Sequence, residues 1–292
     1  MYYSINNIIM FKKDLFIFCA FLLVFSSLSA QDDLLDELNE NATESSYEMP
    51  AFKAMKIGNL QSTKMADQGD FYLIVSHRFG PLKDGFDTFL GLDEASTKIQ
   101  LLYSFWEGVQ FSISRESYNR TLAASAKIRL ARQSKDFPVN LVTYATVNRN
   151  TLIDETIFPD LKSSDRQSYA TQLLVSRRFS DKFSFQLAPT YIRENLQNLN
   201  IVPEEKFNQF ALGFGGRYKL SKRVSFNAEY VYNMSRAKSS PFDNSYAFGL
   251  DIETGGHVFQ LLFTNSQSSN EPGFMSSAEG DIVFGFNVVR VF

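Results

Sequence analysis

From Phe71 to Phe292 the chain is written in a period of two. Phe183, Phe185, Leu187 and Tyr191 alternate with Ser184, Gln186, Ala188 and Thr190. Phe210, Leu212, Phe214, Tyr218 and Leu220 alternate with Gln209, Ala211, Gly213, Gly215, Arg217 and Lys219. Only a β-strand sends successive side chains to opposite faces, so this pattern predicts strands with one greasy and one polar or small face. They fall near 71–79, 97–105, 109–115, 122–132, 139–147, 168–179, 183–192, 207–220, 224–232, 245–253, 257–265 and 281–292. Nine residues rising ~3.3 Å each at a tilt of ~40° span roughly 23 Å, about the apolar height of an outer-membrane barrel.

The connections add the topology. Trp106-Glu107-Gly108, Ser180-Asp181-Lys182, Ser221-Lys222-Arg223 and Thr254-Gly255-Gly256 are tight, and 133–138 is only slightly longer. Between them lie the long polar stretches 80–96, 148–167, 193–206, 233–244 and 266–280, with 116–121 shorter. Strict alternation of short and long is the signature of periplasmic turns and extracellular loops. The expected fold is all-β: a transmembrane up-and-down antiparallel β-barrel of about 12 strands in the outer membrane of a Gram-negative cell, with both termini periplasmic. A mean hydropathy of -0.18 beside 29 phenylalanines fits strands that are polar on one face. No stretch after Phe25 approaches the roughly 20 apolar residues a spanning helix needs.

The two ends agree. Lys12 and Lys13 precede the apolar run Leu15–Phe25, and Ser26, Ser27, Ser29 and Ala30 follow, so residues 1–30 read as a secretory signal peptide cleaved near Ala30. The one cysteine, Cys19, lies within it, which leaves the exported chain without thiol chemistry. Residues 31–70 read as a periplasmic leader, partly disordered, whose first part carries Asp32, Asp33, Asp36, Glu37, Glu40, Glu44 and Glu48 and no base. Leu34, Leu35 and Leu38 could form one docking turn, and an extended piece is expected near Met55–Leu60. The barrel domain is 71–292. At its end Ile282, Phe284, Phe286, Val288 and Phe292 share one face, and the terminal Phe292 reads as a signal for the barrel assembly machinery. The expected surroundings are outer-membrane lipid and a periplasmic partner for the acidic leader. A net charge of -3 carries none of the basic excess of a nucleic-acid binder.

Gly69-Asp-Phe-Tyr-Leu-Ile-Val-Ser-His-Arg-Phe-Gly80, preceded by Ala51-Phe-Lys and followed by Phe89-Leu-Gly-Leu-Asp93, resembles the opening of a Bacteroidota family of outer-membrane β-barrels catalogued as a domain of unknown function. The distinctive part is His77-Arg78-Phe79-Gly80 with the Phe89–Asp93 stretch; Trp106-Glu107-Gly108 departs from the Asp-Arg or Asn-Arg turn expected there. The resemblance covers nearly the whole exported chain and implies fold and location. It brings no catalytic residue.

His77 is the strongest single candidate for chemistry. By parity it faces lipid with Phe71, Leu73, Val75 and Phe79 near the extracellular end of its strand, while Arg78 faces the lumen. A membrane-rim general base would need a positioned nucleophile and an orienting group, and no Gly-x-Ser-x-Gly motif is present. Contact with lipid headgroups is the simpler reading, and no enzymatic activity is expected. Two histidines and no exported cysteine argue against a transition-metal site. Calcium among Asp84, Asp87, Asp93 and Glu94, or Asp154, Glu155 and Asp160, lacks a spaced loop motif, so no cofactor is expected. Gly213, Gly215 and Gly216 read as small wall residues that ease a close approach.

Parity places Lys98, Lys127, Arg129, Arg178, Arg217 and Lys219 in the lumen with Glu229, Asp251, Glu253 and Asp281. Such charges either line a wet conduit or lock together and fill it. Two functions follow: a porin-like, passive or transport-associated conduit for small polar or anionic solutes, or a filled structural barrel that holds partners through its loops or leader.

Overall fold

The computed structural model describes residues 49–153, 160–196 and 207–292. The signal segment, residues 31–48, the leucines at 34, 35 and 38, and Asp154 and Glu155 lie outside them. The twelve strands are β1 (Phe71–Pro81), β2 (Ala95–Trp106), β3 (Val109–Glu116), β4 (Thr121–Ala131), β5 (Asn140–Asn150), β6 (Gln167–Arg178), β7 (Phe183–Glu194), β8 (Asn208–Lys219), β9 (Val224–Asn233), β10 (Tyr246–Thr254), β11 (His257–Thr264) and β12 (Val283–Val291). Each pairs antiparallel with its neighbours in sequence, and β1 closes on β12. Every predicted strand is present, with ends displaced by a few residues. β5 runs on to Asn150 because β4 offers Thr121 as its partner there.

Closure satisfies the strand backbones internally, which a lipid surround demands. At the seam Tyr72 faces Val291 and Ser76 faces Asn287. Phe292 N donates to Phe71 O at 2.9 Å, and the two rings lie 5.9 Å apart. The two faces of each strand differ as the alternation demands. In β7, Ser184, Gln186, Ala188, Thr190 and Ile192 are buried inward while Phe183, Leu187 and Tyr191 are exposed outward. Exposed aromatics gather at both rims, with Phe105, Trp106, Phe179 and Tyr218 near the short turns and Tyr191, Phe210, Tyr230 and Tyr232 towards the loops. Such paired girdles mark the two interfaces of a membrane.

The interior is full. Residues 51–66 form a hairpin inside the barrel: Lys56 pairs with Gln61, Ile57 N donates to Leu60 O at 2.8 Å, and Ser62 N donates to Met55 O at 3.0 Å. One leg passes Glu253, beside the β10–β11 turn, through Lys53; the other reaches Gln110, beside the β2–β3 turn, through Ala66 N. Both legs therefore occupy the short-turn mouth. From the opposite mouth the connection 265–280 folds inward and carries a short helix, α1 (Glu271–Ser276), whose N-cap Asn270 accepts from Gly273 N. Leu60 at the hairpin tip packs with Phe274 and Met275 of α1 and with Ala170, Ile192, Ala211 and Val231 of the wall. Met55 and Ala66 pack on Tyr72, Ile74, Leu102 and Val289, and Met65 on Val142, Tyr144, Leu174 and Ala188.

This placement of 51–66 differs from its reading as the tail of a leader. The segment has no two-residue period to announce it, and what accommodates it is missing volume in the wall. A Cβ on Gly215 would stand 2.2 Å from Ile57 Cδ1, and one on Gly213 3.1 Å from Leu60. The wall glycines make room for the hairpin tip.

Candidate functional site: the occupied lumen

Glu229 of β9 organises the hairpin tip. Its carboxylate accepts three successive backbone N–H groups: Gly58 at 2.9 Å and Leu60 at 3.0 Å on Oε2, and Asn59 at 2.7 Å on Oε1. Charge-assisted bonds of this kind are the strong ones. The tip carbonyls are served by wall amides in turn. Gln260 Nε2 donates to Lys56 O and Ile57 O at 3.0 and 3.1 Å, Asn287 Nδ2 to Gly58 O at 2.9 Å, and Gln186 Nε2 to Gln61 O at 2.7 Å. Lys127 of β4 donates to Ser62 O at 3.0 Å. A hairpin with so few internal bonds thus meets its backbone needs through the barrel, as burial requires.

A second group of charges joins the hairpin to the 265–280 loop. Lys56 Nζ donates to Ser269 O at 2.9 Å and Lys98 Nζ to the same oxygen at 3.4 Å. Gln61 Nε2 donates to Glu271 Oε1 at 2.7 Å. Glu116 of β3 accepts from Ser269 N at 2.5 Å and from the Asn270 side-chain amide. Burial, then the neighbouring Lys98, pulls Lys56 down to about 7. Burial works to raise the Glu271 carboxyl, but Lys98 and Lys56 outweigh it and hold it below the usual carboxylate range. The two closures are bonded to each other as well as to the wall.

The lumenal charges expected from sequence divide by depth. Lys98, Lys127, Glu229 and Asp251 are buried; the first three hold hairpin or loop, and Asp251 accepts from Gln260 at 2.8 Å. Arg217 pairs with Glu253 at 3.1 Å, and Lys53 of the hairpin approaches that same carboxylate at 3.4 Å. Arg129 pairs with Glu107, and Arg178 with Asp181, at the short-turn mouth. Lys219 stands half-buried at that mouth, and Asp281 pairs with Lys83 at the other. These ten side chains therefore do not line one open path in this state. Further inward charges join them: Glu116, which the sequence reading does not single out; Glu194 of β7, which accepts from Gln209 Nε2 at 3.3 Å; and Arg78, which donates to Asn59 Oδ1 at 2.8 Å and Asn287 Oδ1 at 3.1 Å.

The His77–Gly80 stretch is structural in its contacts. His77 faces outward, its Nδ1 2.8 Å from Thr97 Oγ1, stacked on Phe286 and edge-on to Phe79. Gly80 N donates to Gly91 O and Glu94 O, and a Cβ on Gly91, at φ +80°, would stand 2.2 Å from Gly80 O. This close approach brings the His77–Gly80 and Phe89–Asp93 stretches together at the loop end of β1. Among the described residues no three His, Cys, Asp or Glu side chains gather as a metal site.

A closed antiparallel barrel with a greasy exterior, aromatic rims and a polar, occupied interior defines a porin-like β-barrel of the outer-membrane type. The chain belongs to the family described as membrane-bound beta barrel domain (DUF5777), whose profile matches residues 52–292. That match begins inside the hairpin and runs to Phe292, so it covers the plug as well as the barrel. No curated protein matches the sequence. Among solved structures the chain is similar to the NanC porin (9% identity, TM-score 0.48, 76% of this chain and 99% of that one) and to the KdgM porin (10%, 0.46, 76% and 99%). It is also similar to the Acinetobacter baumannii outer membrane protein Omp33 (10%, 0.43, 78% and 100%).

Proposed function

We propose that the protein is an outer-membrane conduit for small polar or anionic solutes, held shut by its own hairpin 51–66 and by the 265–280 loop, with the short-turn mouth in the periplasm. The observation that carries the reading is the shared mouth of the hairpin legs. A hairpin that enters and leaves on one side can withdraw without threading the chain through the barrel. The wall it would uncover includes Gln100, Ser112, Gln172, Gln186, Asn227, Gln260 and Asn287, side chains suited to water. An interior built only to be packed gains more from apolar residues, because each buried polar group costs free energy unless it is bonded. Lys98, Lys127, Arg78 and Arg217, released from their present bonds, would supply the positive field that favours anions.

Deletion of 51–66 from the refolded protein tests this in planar bilayers. The intact chain should be closed most of the time and the deletion variant should conduct steadily with anion preference. A stable deletion variant that stays silent would favour the second reading, a filled barrel that holds partners through its loops or acidic leader. That reading draws on the extent to which lumenal charges are already committed to hairpin and loop.

A further inference from the structure

On the lipid-facing side of the strands charge is scarce and of one sign. The outward positions of β1 to β12 carry Arg115, Arg149, Arg177, Arg193 and Arg290 and no carboxylate. The two at the short-turn end are occupied by aromatic faces: Arg177 lies 5.3 Å from the centroid of Phe179 and Arg290 4.6 Å from that of Phe292. The three at the loop end sit on alternate strands β3, β5 and β7. Leu122 of β4 lies opposite both Arg115 and Arg149, Gln167 of β6 opposite Arg149, and Tyr169 opposite Arg193. With strands ~4.8 Å apart, neighbouring arginines of this row are roughly 10 Å apart along the rim. The same level on the other strands is uncharged, with Phe79, Phe210, Tyr232, Phe263 and Phe284 outward.

None of the three arginines forms an ion pair among the described residues. Arg115 donates to Glu116 O, and Arg193 to the side-chain oxygens of Asn195 and Asn208, all uncharged acceptors. A planar guanidinium at the edge of a hydrocarbon layer is stabilised by an anion whose two oxygens it can grip with two donors, and lipid phosphate is the anion found at that depth.

We propose that Arg115, Arg149 and Arg193 form a binding site for the phosphate of a lipid headgroup in the leaflet at the loop end. The site rests on the fold and the strand register and is independent of whether the hairpin moves. Native mass spectrometry of the purified full chain in detergent, titrated with phosphorylated lipid A, its dephosphorylated form and phosphatidylglycerol, tests it. Wild-type protein should hold phosphorylated lipid A and lose the dephosphorylated form. R115Q/R149Q/R193Q should weaken retention about tenfold or more. R177Q/R290Q should leave it unchanged. Heat-modifiable migration of each variant shows that the barrel is folded, and the single variants R115Q and R193Q give partial losses if the triple variant is not. Arginine-dependent retention of phosphatidylglycerol as strong as that of lipid A would assign the site to phospholipid. Equal retention by the triple variant, or equal binding of the dephosphorylated glycolipid, would overturn the proposal.

Discussion

Replacing Glu229 with Ala removes the acceptor of three backbone N–H groups at the hairpin tip and leaves the strand that carries it intact. Hydrogen bonds to a charged group contribute about 1.5 to 3 kcal/mol each. Three of them, discounted for water that reaches the freed amides once the tip loosens, give an expected loss of about 4 kcal/mol in hairpin docking. Since each ~1.4 kcal/mol is tenfold, the ratio of docked to withdrawn hairpin should fall by about a thousandfold. Glu229→Gln is the informative companion. It keeps one carbonyl oxygen, sets an NH2 against the donors of the other, and should therefore lie between wild type and Ala. Bilayer conductance reads the opening, and amide exchange at Gly58, Asn59 and Leu60 reads the docking. An E229A barrel that migrates as folded, stays closed and still protects those three amides would refute the claim that this carboxylate holds the plug.

Two further outcomes follow from the same geometry. Gly215→Val places its side chain where Ile57 Cδ1 now lies, 2.2 Å from the glycine's would-be Cβ, so the variant should conduct more than wild type while Gly216→Val, on the outward face, should not; equal conductance of the two would mean the wall does not seat the tip. Lys56 offers a pH dependence: its docked value of about 7 lies below the ordinary 10.5, so docking binds fewer protons than release between those values and gains stability as pH rises through them. Opening should increase as pH falls towards 7 and level off below it, and Lys56→Met should flatten the conductance-versus-pH curve in that window.

The barrel was legible because its physics is local. An outward Phe next to an inward Ser reports a lipid wall and a lumen wherever the pair recurs, so Phe183–Glu194 and Asn208–Lys219 could be placed, and the inward Arg217 and Lys219 of the latter assigned, without a partner in view. The plug was not legible for the opposite reason. Glu229 bonds to main-chain atoms of residues about 170 positions away, and a backbone N–H has no letter in the sequence. Glu116 is missing from the sequence reading because the alternation there stops at 115, one residue short of the end of β3, and because its partners Ser269 and Asn270 lie in a connection that reads as an ordinary polar loop. One clue was available. Gly213 and Gly215 withdraw side-chain volume from the inward face of a single strand, which is wasteful unless something else fills it.

The hairpin's shared mouth also decides how it answers to force. Tension applied at Pro50 and resisted at Phe71 acts across the two legs, so the tip bonds are loaded in sequence: the Lys53–Glu253 contact, then Lys56–Ser269, then the amides on Glu229. Bonds loaded one after another yield at a far lower peak tension than the same bonds sheared together. A strand passing straight through the lumen would have to break all of them at once. The architecture therefore resists diffusion of the plug, which needs every contact to fail together, while remaining weak against a steady pull from one end.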